Sequence, residues 1–264
     1  MRNRLQVLLS VMDKDDSLHY VDMLNIRTDV LIINQCGNDN EYEQGGRYGN
    51  IYVRESRKRG LSISRNEALE NARSDRVILC DNDVRYDDDA FERINAAFDR
   101  NPDAGILVFF IERPERKTPV LRKEGPLGKL PSMRIFSPEI AVRRSIIGDL
   151  RFDTEFGSGA RYSMGEENIF LFRAMDRGIR IVYVPERIAH LLPQESGWFK
   201  GYNETFFFDR GAGYEAMDDR LWYFLSLQFL LRKRKLYRNE ISMKRAWRSM
   251  CDGRREYRIE HKKG

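Results

Sequence analysis

An α/β fold, with a mainly parallel sheet flanked by helices and a basic helical C-terminal extension, is predicted by three features of this 264-residue chain. Short apolar runs recur, among them Val30-Leu31-Ile32-Ile33, Val77-Ile78-Leu79-Cys80 and Ile181-Val182-Tyr183-Val184. Runs of that length and composition read as strands buried on both faces, which is the habit of parallel strands. Segments with helical periodicity alternate with them. The run at 77–80 then stops abruptly in Asp81-Asn82-Asp83. Carboxylates at the C-terminal end of such a strand face the crevice where open α/β sheets bind ligands.

In chain order, 6–12 reads as the first strand and 13–16 as the polar loop at its C-terminal end. A short helix is expected over 18–24 and a second buried strand over 30–33, ending in Asn34-Gln35. Glycine, asparagine and charge make 36–49 a loop, and 51–54 a short strand. A helix over 62–72 has Ser62 as its candidate N-cap, with Ile63, Ala68, Leu69 and Ala72 inward. Asp87-Asp88-Asp89 precede an amphipathic helix over 90–99 and read as its cap and dipole partners. A buried strand follows at 105–111, and 112–131 reads as a flexible charged excursion. A strand is expected at 133–136, a helix at 166–176 ended by Gly178, and a last strand at 181–184 stopped by Pro185.

The length suits one large domain, or one domain with an appendage. The expected division is an α/β unit over 1–214, in two halves at about 1–111 and about 132–214, then the extension over 215–264. Cys36, Cys80 and Cys251 lack metal-ligand spacing, and their odd number argues against a disulfide framework and fits a reducing cytosol. The start of the chain has a short apolar run without a long h-region or small-residue cleavage site, so it reads as a strand rather than a signal peptide. A cytoplasmic protein is expected.

Paired carboxylates such as Asp81 and Asp83 suit a hard divalent cation that also holds substrate phosphates. The bland alternative is a strand-to-helix turn, where aspartate is common. Arg65, in the first turns of its helix, is placed to reach a phosphate, although a solvated helix arginine is the ordinary expectation.

The context decides between these. The segment RGLSISRNEALENARSDRVILCDNDV, with its G-x-x-x-S-R-N-x-A-L core from Gly60, a strand, then Asp81-Asn82-Asp83, resembles the signature of glycosyltransferase family 2. A second block, RFDTEFG at 151–157 and GEENIFLFRAMDRGIRIVYVP at 165–185, is similar to the family's downstream pattern. The resemblance covers about residues 5–190. It implies a GT-A, Rossmann-like fold and inverting transfer from a nucleotide sugar, UDP- or GDP-linked, with Mn²⁺ or Mg²⁺. It further implies Asp83 as a direct metal ligand, Asp81 on the metal water or ribose, and His190 as a candidate to complete the metal shell. Donor contacts fall to Ser10, Met12, Asp13, Asn34, Gln35, Arg59, Arg65, Asn66, Asp81 and Asn82. The family's acidic pair aligns with Glu166 and Glu167, making Glu167 the base and placing Glu166 on donor sugar or acceptor. Glu195, Ser196 and the aromatics Trp198, Phe199, Tyr202 and 206–208 are candidates for the acceptor side, although core packing is the commoner use of aromatics.

Two other classes compete. A sugar-phosphate nucleotidyltransferase should carry a glycine-rich basic loop after the first strand, where this chain has the acidic Met12-Asp13-Lys14-Asp15-Asp16. A non-catalytic nucleotide-sugar or glycan-binding module has no need to retain both the aspartate pair and the glutamate pair. The acceptor is expected to be a glycan or a lipid-linked glycan in surface polysaccharide synthesis, and nucleic acid is not an expected partner. The apolar run 221–231 followed by Arg232-Lys233-Arg234-Lys235 reads first as a helix docked on the catalytic domain; contact with a membrane surface through 221–264 and a homodimer contact are the alternatives.

Overall fold

A computed structural model describes residues 4–14, 16, 18–193 and 199–261. The first half runs β1 (Leu5–Met12), α1 (His19–Met23), β2 (Asp29–Gln35), β3 (Asn40–Gly45), β4 (Asn50–Ser56), α2 (Leu61–Asn71), β5 (Arg76–Cys80), β6 (Val84–Tyr86) and α3 (Ala90–Arg100). Then come β7 (Ile106–Glu112), β8 (Gly125–Pro126), α4 (Lys129–Ser132), β9 (Ile140–Arg143), α5 (Arg144–Ile147), α6 (Glu166–Asp176) and β10 (Ile181–Leu191). Four helices close the chain: α7 (Glu204–Met217), α8 (Trp222–Arg232), α9 (Arg234–Tyr237) and α10 (Met243–His261).

One sheet organises the molecule, in the order β3-β4-β2-β1-β5-β9-β7-β10-β6, with β8 paired to β10. β4, β2, β1 and β5 pair in parallel, as do β7 and β10. β9 runs antiparallel between β5 and β7, so those two strands share a direction. Alternation along β5 shows why its sequence is uniformly apolar: Ile78 and Cys80 enter the core on one face, Val77 and Leu79 the core on the other.

A third core is mainly helical. It joins Phe156, Tyr162 and Phe172 to Phe207, Trp222, Tyr237 and Met250. α7 and α10 cross almost backbone to backbone: a Cβ on Gly211 would lie 2.1 Å from the Met250 carbonyl oxygen, and one on Gly253 would lie 2.0 Å from that of Phe208. The division expected at 214/215 falls inside α7, whose two sides pack in this same core.

Several elements differ from expectation for identifiable reasons. The 36–49 loop contains β3, an edge strand exposed at every residue and therefore without an apolar signal. The 112–131 excursion is tied down by the Arg113–Arg116 bridge and by β8 on β10. The strand expected at 133–136 is absent; β9 lies at Ile140–Arg143 instead. β10 continues through Pro185 to Leu191, and the proline sits at a register shift between Tyr183 and Arg187, where a missing N–H is tolerated. Ser62 caps nothing; its hydroxyl donates to the Phe156 carbonyl at 2.6 Å. Asp89 makes no cap bond either, and with Asp87 it pairs with Arg93.

Candidate active site

The C-terminal ends of β1, β2 and β5 and the N-termini of α2 and α6 converge on one region. The residue that joins them is Arg65. It leaves the buried side of α2 and is only 3% exposed. One guanidinium nitrogen donates to both oxygens of Asp81, at 2.9 and 3.3 Å, and the other to Glu166 at 3.0 Å. The planar fork of arginine is suited to this double engagement. Arg65 is thus committed to two carboxylates rather than free to meet a phosphate.

Glu166 and Glu167 open α6, where the helix dipole favours negative charge. Gly165 precedes them at φ 97° and turns the chain into the helix. Gly157 packs on the far side: at φ 109°, it lies where an added Cβ would stand 3.2 Å from the Glu166 carboxyl carbon and 3.1 Å from the Ser62 hydroxyl. Burial, and then the charge of Glu166, push the Glu167 carboxyl well above the ordinary range, against the opposing pull of Arg65.

Asp83 has no cationic partner among the described residues. Burial, followed by the charge of Asp81, raises its pKa to about 6. A desolvated carboxylate beside a second one, without a compensating cation, fits a site that takes up a divalent ion. Asn82 is half-buried between the two aspartates.

Most of the residues expected at the donor are tied into the loops and turns around these strand ends. Asn34 is buried and fixes the loop after β1 by holding both the N–H and the C=O of Lys14. Gln35, also buried, accepts from the Gly60 N–H at 2.7 Å. The Ser64 hydroxyl donates to that of Ser10 at 2.9 Å, tying α2 to β1. Asn66 is directed away from the crevice: its amide clamps the N–H and C=O of Phe152 at 2.8 and 2.9 Å. Asp13 stands at φ 51°, tolerable for aspartate, and Arg59 grips it through two bonds of 2.6 and 2.8 Å. That grip holds the Asp13 carboxyl below its usual range. Met12 is exposed at the same rim.

His190 lies on β10 opposite Arg85 and Glu112. It lines a cavity of about 590 Å³ with Asp87 and Arg187, which none of Asp81, Asp83, Glu166 or Glu167 lines. Among the described residues, no three histidine, cysteine or carboxylate side chains, His190 and the aspartates included, are placed to share one metal ion. Glu195, Ser196 and Trp198 lie outside the described residues. Phe206 and Phe207 belong to the helical core, and Tyr202 packs edge-on against Phe199 and Phe206 at 5.0 Å each.

Sequence reasoning missed Arg113, Arg116 and Glu139. Arg116 and Glu139 form a buried ion pair. Arg113 stacks on Phe136, 3.2 Å from the ring centre, and feels the charge of Glu167. Burial, then the like charge of Arg116, lowers its pKa to about 10. The only sequence signal was the pair of arginines in Arg113-Pro114-Glu115-Arg116, hidden in a segment read as an excursion.

A mainly parallel sheet that ends in paired aspartates, joined through one arginine to a glutamate pair, is the arrangement of a GT-A glycosyltransferase. The sequence matches the family Glycosyl transferase family 2 over residues 6–167, and the chain belongs to that family. It is an enzyme of the nucleotide-sugar-dependent glycosyltransferase type. Solved structures share the fold. S. aureus TarS 1–349 superposes with a TM-score of 0.64 at 14% identity, covering 95% of this chain and 80% of that one. The same protein in complex with UDP-GlcNAc gives 0.61 at 16%, covering 90% and 74%. The mannosyltransferase PcManGT from Pyrobaculum calidifontis, in complex with GDP-Man and Mn²⁺, gives 0.55 at 11%, covering 95% and 73%. No curated protein sequence matches the chain.

Proposed function

We propose that this glycosyltransferase moves a sugar from a UDP- or GDP-linked donor to a hydroxyl of a glycan or lipid-linked glycan, with inversion at the anomeric carbon. Surface polysaccharide synthesis from the cytoplasmic side is the setting this reading implies. The observation that carries it is the Arg65 bridge, which ties Asp81 of the aspartate pair to Glu166 of the glutamate pair. The nucleotide sugars bound by TarS and PcManGT, and the Mn²⁺ of the latter, support the donor class and the cation.

Asp83, with Asp81 beside it, would hold Mn²⁺ or Mg²⁺, which supplies charge neutralisation to the departing diphosphate. The uncompensated, desolvated Asp83 carboxylate fits that role. Arg65 orients Asp81 by two hydrogen bonds and leaves Asp83 free. Asn34 and Gln35 set the loop and turn that form the nucleotide side, with Ser10 beneath them and Met12, Asp13 and Arg59 at the rim.

Glu167 takes the proton from the acceptor hydroxyl as it attacks. Its raised proton affinity suits the ionised carboxylate to accept that proton. Glu166 is held by Arg65 and serves to position. Attack from the face opposite the diphosphate inverts the anomeric centre in one displacement, as in single-displacement glycosidases, where one carboxylate activates the nucleophile.

A screen of nucleotide sugars with Mn²⁺ or Mg²⁺, reading nucleotide diphosphate release, tests the proposal. One donor should be hydrolysed preferentially, and Asp83→Asn should abolish that signal. Full hydrolysis by Asp83→Asn, or equal rates after removal of divalent ions, would refute the assigned cation site.

A further inference from the structure

Helix α8 is apolar on two faces, but the described residues cover only one of them. Trp222, Leu225 and Leu230 are buried in the helical core. On the outer side Tyr223 is 57% exposed, Phe224 50%, Leu227 48% and Leu231 64%. Leu236, in α9, extends the patch at 53%. A helix that is hydrophobic all round is normally covered all round. Contiguous exposed apolar side chains of this size mark an interaction surface rather than ordinary surface scatter.

The border of the patch identifies the partner. Arg232, Lys233, Arg234, Lys235 and Arg238 are all exposed at its C-terminal edge. None of these five cations is in a salt bridge with a described residue. We infer that this face docks on an anionic lipid surface, with the aromatic and leucine side chains entering the headgroup boundary and the cations meeting lipid phosphates. Apolar insertion combined with a basic border is how interfacial helices bind such membranes. A second copy of the chain is disfavoured by charge: a two-fold contact across this patch brings the same basic run of each copy toward the other. No helix among the described residues is long and apolar enough to cross a membrane, so the contact is peripheral. The inference goes beyond the transferase reading and does not depend on it.

Flotation of the full-length protein with vesicles tests it, using phosphatidylcholine alone and phosphatidylcholine mixed with phosphatidylglycerol. The protein should float with the anionic vesicles at low salt and be released as salt rises. Leu227→Gln with Leu231→Gln should weaken flotation about tenfold, and Lys233→Gln with Arg234→Gln and Lys235→Gln by a similar or larger factor. Both variants alter exposed positions, and unchanged melting and donor hydrolysis will confirm that they fold. Failure of the wild type to float, or flotation undiminished in the leucine variant, would overturn the assignment. So would a protein that sediments as a dimer in the absence of lipid and becomes monomeric in the leucine variant, since the patch would then belong to a second copy.

Discussion

Arg65 and Glu166 are 101 positions apart in the chain and meet in a buried ion pair of 3.0 Å. The same guanidinium grips Asp81, so a single residue couples the end of β5 to the start of α6. Losing it would leave one buried and one half-buried carboxylate without their cation.

Arg65→Met should therefore lower stability by about 3 kcal/mol, the usual cost of orphaning a buried charge. Arg65→Lys should recover only part of this, because an ammonium is a point charge and lacks the planar fork. Urea unfolding of the three proteins measures the effect; an unchanged midpoint in Arg65→Met would show that the bridge is not formed.

Glu167→Gln keeps shape and removes basicity. Transfer should fall by about 10²–10⁴-fold, while donor affinity by calorimetry stays unchanged. Since burial and Glu166 raise the Glu167 pKa, the acidic limb of the wild-type pH–rate profile should lie above the ordinary carboxylate range, with activity lost as pH falls through it. Normal turnover in Glu167→Gln would remove this residue from the mechanism.

Asp83 makes a pH prediction with two opposing signs. Its pKa of about 6 exceeds the unfolded value, so without metal the folded state binds this proton more tightly. The resulting stabilisation is full below about pH 4 and is lost as pH rises through about 6. A divalent cation needs the ionised form, so stabilisation by Mn²⁺ should appear above about pH 6 and fade below it. Melting temperatures with and without Mn²⁺ across this range check both signs, and Asp83→Asn should erase the metal-dependent part.

Gly253→Ala should destabilise the protein by about 2 kcal/mol, because α7 and α10 must separate to admit the methyl group. A Cβ there meets the Phe208 carbonyl oxygen at 2.0 Å, whereas one on Gly37 meets nothing within 4 Å. Gly37→Ala is therefore the neutral control. Equal melting of the two variants would contradict the close helix crossing.

The buried strands and α6 were legible because each is a short, strongly apolar or periodic run whose pattern is local. β3 was not, since an edge strand exposed along its whole length carries no hydrophobic signal. Pro185 read as a stop because proline usually ends a strand, and only the register shift beside it lets β10 continue. At the site, the aspartate and glutamate pairs were visible as motifs. The pairing of Arg65 with Glu166 and of Asn66 with Phe152 was not, because these partners lie 101 and 86 positions along the chain.

What the sequence determined alone was the chemistry on offer: which strands are buried, where the carboxylates stand at their ends, and which family signature they compose. Those are properties of short segments and their order. Tertiary structure alone decided who meets whom. It committed Arg65 to two carboxylates, turned Asn66 toward Phe152, left Asp83 without a cation among the described residues and set Arg113 within reach of Glu167's charge. It also buried one face of α8 and left the other uncovered by the described residues. The physical reason is that pairing and burial depend on distances between elements remote in sequence, which packing fixes and local pattern does not encode.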